Sequence, residues 1–531
     1  MNAGRGGDES DSAAGLEQVI TSFAASWNLF GALVEDLHDE SADRLTHAQL
    51  EGLIASRGRE VMRRLLQDHL DLRSMREPRL TRVTGTDQVT RRRIEPGHER
   101  LLATVFGTVT VTRTAYRALG ASNLHPMDAV LNLPAERSSH GLRQLAALEA
   151  VRGSFDDAQR AIERGCGTRI GKRQIEQLTV RAAVDVEAFY RARAPEPCTA
   201  DTLLVLSVDG KGVVMRPEAL TDATRKAAEA RGGNKMRTRL SGGEKNGRKR
   251  MAMLGAVYDV VPAPRAVDDV ITPPPDPDSD GPAGRNRGPE AFNKWLTGSV
   301  TDNTQSVISA VFDQAEQRDP IHARTWIVLV DGAKAQIDQI HTEAELRGVT
   351  AHIVVDFVHV LEYLWKAAWC FHAANDPAAE SWVAAQARSV LAGDSEQVIA
   401  DIRTAAKTAV LGEDKLKTIE AVCGYLESKS PYLRYDTALT RGWPIATGII
   451  EGACRHLVKD RLDITGARWS LAGAEAVLKL RALISNGDFD PYYAWHLKQE
   501  HRRVHQARYQ DRLRLAAPRA SAHSRTQHQA A

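Results

Sequence analysis

No stretch of this 531-residue chain approaches the unbroken apolar length of a membrane span, although apolar residues make up 43% of it. Residues 1–15 lack the basic flank and apolar run of a signal peptide, so a protein that stays in the cytoplasm where it is made is expected. Cysteine is scarce. The five (Cys166, Cys198, Cys370, Cys423 and Cys454) are scattered with no Cys-x-x-Cys pair. That leaves neither a zinc ribbon nor a disulfide framework to read, and marks them as small buried apolar residues. There is no Walker A loop, so no nucleotide cofactor is expected. Internal repeats are absent as well, and net charge is only +2.

What charge there is lies unevenly. Residues 225–250 carry ten Lys or Arg, ending in Arg248, Lys249 and Arg250, against Glu229 and Glu244. From Pro491 onward eight basic residues face Glu500 and Asp511. Two basic patches in a nearly neutral chain have the pattern of a polyanion footprint. A solvated loop and a disordered tail have the same composition, so both readings stand.

The length calls for two or more folding units. Residues 1–75 read as helical, with Thr46 capping a second run. Leu101 to Ala118, β-branched and alternating around Gly107, reads as a hairpin within a segment 76–136. Residues 137–194 hold a helix–turn–helix candidate. Ser154 caps its first helix, Gly165-Cys166-Gly167 makes the break, and the second helix turns Ile175, Leu178 and Ala182 inward. That leaves Arg173, Gln174, Gln177 and Arg181 outward, side chains suited to phosphates and base edges in a major groove. Any two short amphipathic helices around a glycine look alike, so DNA contact and plain packing are both open.

After Pro195-Glu196-Pro197 the texture becomes α/β. Residues 203–214, 250–261, 325–334 and 350–360 read as strands, the first a near-continuous apolar run as a strand buried on both faces should be. Val261 to Pro289 reads as a loop insert, Ala291 to Glu316 and Gln336 to Arg347 as helices, and 361–428 as wholly helical. Pro444 opens a final helix pair.

Two strands end alike, in Val208-Asp209-Gly210 and Val330-Asp331-Gly332. A carboxylate ending an apolar strand is costly to leave without a partner, and acids on adjacent strands suit Mg²⁺, which prefers a few carboxylate oxygens. Such an aspartate also commonly caps the next turn. The third acid is Glu451. On a helix it shares one face with Arg455 and Lys459, at i, i+4 and i+8, an arrangement for metal and phosphate or for a surface ion pair. Two metal ions on such a triad would serve in-line phosphoryl displacement, with water or a DNA 3′-hydroxyl as nucleophile.

The phrases "SVDGKGVVMRPEAL", "RKRMAMLGAVYDV", "TWIVLVDG", "DFVHVLEYLWKAAWCF", "GWPIATGIIEGACRHLVKDRLDITGARW" and "LKLRALISNGDFDPYY" carry a resemblance to bacterial insertion-sequence transposases of the ISKra type. These are three-carboxylate enzymes distantly related to the Mutator-like group. The N-terminal "VFGTVTVTRTAYRA" and "GKRQIEQL" are similar to the same family, so the resemblance spans roughly residues 90–500. It implies a multidomain α/β protein: a ribonuclease-H-like mixed-sheet core at 200–360 with a loop insert at 261–289, an all-α insertion at 361–430, and final core helices at 431–490. A helical and β-hairpin DNA-binding region precedes the core, and a basic disordered tail (491–531) follows it. It also implies a triad of Asp209, Asp331 and Glu451, 122 and 120 residues apart, holding two Mg²⁺ or Mn²⁺ ions.

Asp356 and His359 match an Asp-x-x-His motif of that group, read as a conformational or DNA-distorting element, with a structural histidine the alternative. Some related transposases carry a zinc-ribbon-like cysteine set near the N-terminal strands, and this chain has no cysteines there. The implied partners are terminal-repeat and target DNA and further copies of the chain in a dimer or larger assembly, with the protein on the nucleoid when bound. A related nuclease that cleaves without joining, or a catalytically silent DNA-binding regulator, are the competing readings.

Overall fold

A computed structural model of the protein describes residues 21–194, 200–232, 249–271, 286–464 and 466–510. The chain is mixed α/β and divides into two compact units, Met1–Phe189 with Asp490–Ala531, and Tyr190–Phe489. Among the described residues no helix is long and apolar enough to cross a membrane. Pro195-Glu196-Pro197, Cys198, Arg248 and the tail beyond Gln510 lie outside the described residues.

The first unit opens with helices α1 (Ala24–His38) and α2 (His47–Met75). Thr46 starts α2 by a reciprocal capping box with Gln49. The hairpin is longer than its β-branched half: β1 runs Arg93–Thr104 and β2 Gly107–Arg117, with an irregularity between Glu95 and His98. Helices α3 (His140–Arg152), α4 (Phe155–Cys166) and α5 (Lys172–Ala182) follow. Ser154 caps α4, and Gly167, at φ 72°, ends it in the left-handed region that glycine enters without strain. Ile175 and Leu178 pack with Leu142, Ala146 and Ile162, as the pattern of α5 requires.

The expected disordered tail is corrected over its first part. Phe489–Val504 is a helix. Its basic residues drew attention, but its anchors are Tyr492, Tyr493 and His496, all buried. The Tyr492 hydroxyl donates to Ala182 O at 2.6 Å and the Tyr493 hydroxyl to His140 O at 2.6 Å. Arg143, fully buried, pairs with Glu136 and with Glu500 at 3.1 Å. It also donates to His496 Nε2 at 3.1 Å. His496 Nε2 therefore accepts, which puts the ring proton on Nδ1, facing Asp185 at 2.7 Å. Arg503 is held by Asp185 and Glu500. Its charge closes a network instead of remaining for a polyanion.

The second unit holds a five-stranded sheet in the order β5–β4–β3–β6–β7. The strands are β3 (Leu203–Val214), β4 (Lys249–Val260), β5 (Ala291–Ser299), β6 (Trp326–Val330) and β7 (Ala351–Val355). β3, β4 and β5 are antiparallel neighbours, while β6 runs parallel to β3 and β7 parallel to β6. Leu203 to Val208 are all buried, as a strand covered on both faces requires.

Two sequence expectations are corrected here. Ala291–Ser299 is an edge strand, and its helix, α6 (Thr304–Arg318), starts only after the Asn303 cap. Residues 350–360 divide into β7 and the start of α8 (Phe357–Phe371), because the Asp356 carboxylate accepts from Val358 N at 2.8 Å and caps that helix. Helix α7 (Lys334–Arg347) links β6 to β7. The wholly helical stretch consists of α8, α9 (Pro377–Leu391), α10 (Ser395–Thr408) and α11 (Glu413–Lys429). The chain then returns through α12 (Gly448–Ala453), a π turn (Cys454–Lys459) and α13 (Leu471–Ser485). At Gly255 of β4 any Cβ would collide with Val311, so α6 lies directly against the strand backbone.

The first unit should be acid-labile. Burial lowers the pKa of His125, His140 and His505 to about 4 from 6.5. The unfolded chain then binds protons below 6.5 that the folded chain refuses, so stability falls as pH drops from 6.5 towards 4. For Glu500 burial works upward, but Arg143 and Arg503 overcome it and hold the carboxyl at about 2, below the usual 4.5. Its contribution, complete above 4.5, is lost as pH falls towards 2. Thermal unfolding should show Tm descending across the 6.5–4 window, with a shallower descent for His505→Gln. A flat Tm there would contradict this account.

Candidate functional site

β3 and β6 pair from Leu204 opposite Trp326 to Ser207 opposite Leu329, and β6 and β7 from Trp326 opposite Ala351 to Val330 opposite Val355. Carried forward, the same offsets set Asp209 level with Asp331, and Asp331 level with Asp356. Each strand reaches this level in the same dipeptide: Val208-Asp209, Val330-Asp331, Val355-Asp356. Neighbouring strands lie about 4.8 Å apart, so three aspartates stand in a row along one end of the parallel half of the sheet.

Their surroundings differ. Asp209 and Asp331 are half-buried. Asp209 Oδ1 accepts from Gly210 N at 2.6 Å, and Asp331 Oδ1 accepts from Ala333 N at 3.0 Å. Gly332, at φ 95°, turns the chain where a side chain would be strained. Tyr425 of the helical insertion donates to Asp331 O at 3.4 Å and stacks on Tyr363 with ring centroids 3.7 Å apart. Burial first, then the nearby acids, pushes the Tyr425 phenol well up, so it remains a donor. Asp356 is fully buried, and its N–H continues the ladder to Val330 O at 2.8 Å.

Glu451 lies on α12 with its side chain exposed, while Ile450, Ala453 and Cys454 are buried. Two side chains tie this helix to the strand ends. Thr447, four residues before Glu451, donates its hydroxyl to Asp356 Oδ2 and lies 3.2 Å from Glu451 Oε1. Cys454, three residues after it, donates its thiol to Asp209 Oδ2 at 3.1 Å. Burial and the Asp209 charge push that thiol strongly upward, so it stays protonated. A hydroxyl has one hydrogen and cannot serve two carboxylates. Asp356 Oδ2 also has His359 Nδ1 at 3.4 Å, and the ligand atoms of Asp356, His359 and Glu451 lie within 4.8 Å of one another. Asp209 and Asp331 do not join a cluster that tight among the described residues. Asp209, Asp331 and Glu451 make no ion pair there either, so their charge faces solvent uncompensated and suits a hard cation.

The expected basic stripe is corrected in its geometry. A π turn takes over at Cys454, and its i→i+5 bonding breaks the four-residue stacking of an α-helix. Arg455 and Lys459 are exposed and, among the described residues, unpaired, so the Glu451–Arg455 surface ion pair is not formed. Lys249 reaches Asp463 at 3.6 Å. Arg250 is committed, donating to Val300 O at 2.7 Å and Thr301 O at 3.4 Å. On α5, Arg173, Gln177 and Arg181 are exposed, with Arg181 paired to Glu136. Gln174, half-buried, donates to Ser138 Oγ at 3.0 Å. These four line a cavity of about 430 Å³ on the first unit.

Thr447 and Cys454 were not expected at the site, since their contacts span 91 and 245 residues. Asp356 had a visible signal in the third Val-Asp strand ending. No family model matches the chain, and no curated protein matches it.

Thr447→Val should strand the buried Asp356 carboxylate and cost about 1–3 kcal/mol in denaturant unfolding, while Thr447→Ser keeps the donor and most of the stability. Equal losses in both variants would mean the methyl group, and not the hydroxyl, matters.

Proposed function

We propose that this chain is a DNA transposase that cuts and joins strands at the ends of an insertion element, with Asp209, Asp331 and Glu451 as the reactive centre. The observation that carries the reading is the row of strand-end aspartates with the helix of Glu451 fastened across it by Thr447 and Cys454. An antiparallel run of three strands, two helix-linked parallel strands, an all-helical interruption and a returning acidic helix support a ribonuclease-H-like core. So does the resemblance in the motifs around each acid.

The fit to divalent ions rests on chemistry in the chain: three accessible carboxylates, all oxygen donors, without a cationic partner among the described residues. Asp209, Asp331 and Glu451 would hold Mg²⁺ or Mn²⁺, which supplies activation of the attacking oxygen and stabilisation of the leaving one. The residues do the rest. Cys454 and the Gly210 N–H fix the angle of Asp209, Thr447 ties the helix of Glu451 to Asp356, and both Glu451 oxygens remain without a committed donor. Arg455 and Lys459 offer the backbone phosphates two free cations. In cleavage, water adds to phosphorus and the bond to the 3′ oxygen breaks, leaving a 3′-hydroxyl. In joining, that hydroxyl attacks a target phosphodiester and displaces the 3′ oxygen of the target strand. The protein would act in the bacterial cytoplasm on nucleoid DNA, as a dimer or larger assembly that holds two element ends, with α5 contributing to end recognition.

Incubation with DNA flanking the gene and Mg²⁺ or Mn²⁺ should yield joined products. Asp209→Ala, Asp331→Ala and Glu451→Ala should each reduce them on the order of a hundredfold or more, with unchanged circular dichroism. Cleavage without joining would move the chain to the nucleases, and DNA binding without chemistry to the regulators. Removing Arg455 and Lys459 together should lower the salt slope of DNA binding by about two. An unchanged slope would make them ordinary surface charges.

A further inference from the structure

The sheet has a second polar feature at its other end. Asp259 of β4 pairs opposite Leu204, at the end of β3 away from Asp209. Beside it lies a cavity of about 330 Å³, lined by side chains from β4, β5, α6 and the segments around Arg193 and Asp488. Its size falls at the lower end of small-ligand sites.

Most of its polar groups are satisfied internally. Asp259, fully buried, accepts from Arg324 at 2.6 Å and Asn293 at 3.0 Å, with Arg318 at 3.6 Å. Asp488 pairs with Arg193 and accepts from the Tyr190 hydroxyl at 3.1 Å. Both lining acids are thus already neutralised. One buried group is not satisfied, and one lining amide is uncommitted. Trp295, 7% exposed, has an indole N–H without an acceptor. Gln314, 8% exposed, makes no side-chain hydrogen bond among the described residues, although its amide lines the cavity. A buried donor without a partner, such as the Trp295 N–H, is rare in native proteins and calls for an explanation.

The unused groups are richer in donors than in acceptors. The indole N–H donates only, the Gln314 amide offers two more donors, and exposed Lys294 brings an ammonium with no carboxylate partner among the described residues. The lining counts three cations (Arg193, Lys294, Arg318) against two acids (Asp259, Asp488), so the surplus is positive. A positive, donor-rich cavity favours an oxyanion over a cation or an apolar molecule.

We propose that this cavity is a binding site for a phosphate group, with Lys294, Gln314 and Trp295 as its recognition groups. The phosphate comes either from a free small phosphate or from the phosphorylated end of a nucleic acid strand. The site is distinct from the carboxylate row and does not depend on the activity proposed for it.

Titration calorimetry on the full chain tests it, with inorganic phosphate in one arm and matched 5′-phosphorylated and unphosphorylated oligonucleotides in the other. Saturable binding that weakens about tenfold or more in Lys294→Ala, an exposed position that leaves folding alone, is the expected result, and Gln314→Leu should act in the same direction. Binding of inorganic phosphate assigns a small-molecule site. A Lys294-dependent preference for the phosphorylated oligonucleotide alone assigns a strand end. No saturable binding in either arm, or equal binding by Lys294→Ala, overturns the proposal and leaves the lining groups to water.

Discussion

Everything about the carboxylate row depends on the register of three parallel strands. Side chains alternate faces along a strand, so a slip of one residue would invert every buried position. β3 is buried on both faces and β6 is buried throughout, which leaves no room for a slip. Each strand also changes from valine to aspartate at the same level. Burying a carboxylate is costly, so the place where the apolar run ends positions the strand along its axis. Thus the hydrophobic effect that builds the sheet also aligns the acids.

The acids along that edge are then differentiated by what is laid over them. Asp356 is covered, caps α8 and takes the Thr447 hydroxyl; Asp209 takes the Cys454 thiol; Asp331 receives only backbone hydrogen bonds at its carboxylate. The π turn matters here. It begins at Cys454, facing that thiol to Asp209 while Arg455 and Lys459 stay in solvent. Such turns are rare and concentrate at functional sites. The all-helical segment takes part as well, since Tyr425 reaches back to the carbonyl of Asp331.

Elements with one strong signal were legible in the sequence. The apolar runs of β3 and β6, the caps at Thr46 and Ser154, and the glycine break after α4 all read correctly, because each is decided within a few residues. β5 has the sequence texture of a helix because an edge strand is half-exposed and mixes Asn293 and Lys294 with Trp295 and Leu296, so neither period is clean. The helix from Phe489 has the basic composition of a tail, and the tyrosines that anchor it find their partners only in the folded first unit. At the site, strand-end acids could be seen, but the side chains that fasten them could not. A threonine four residues before an acid and a cysteine three after it have no meaning until tertiary structure brings the strands beneath them.

The strongest argument about the site comes from how the same chain treats acids elsewhere. Buried Asp185 faces His496 and Arg503, Glu500 faces Arg143, Asp259 faces Arg324, and Glu475 faces Lys479. Asp319 receives two backbone N–H groups and the Trp326 indole. This is ordinary practice, since an acid out of water without a partner costs stability. Asp209 and Asp331 are half-buried and Glu451 is exposed, so water takes the place of such a partner, and Arg455 and Lys459, close by in sequence, are not paired to them. Neutral donors hold Asp209 and the helix of Glu451 in position without cancelling their charge, which is the arrangement the proposed divalent ions require.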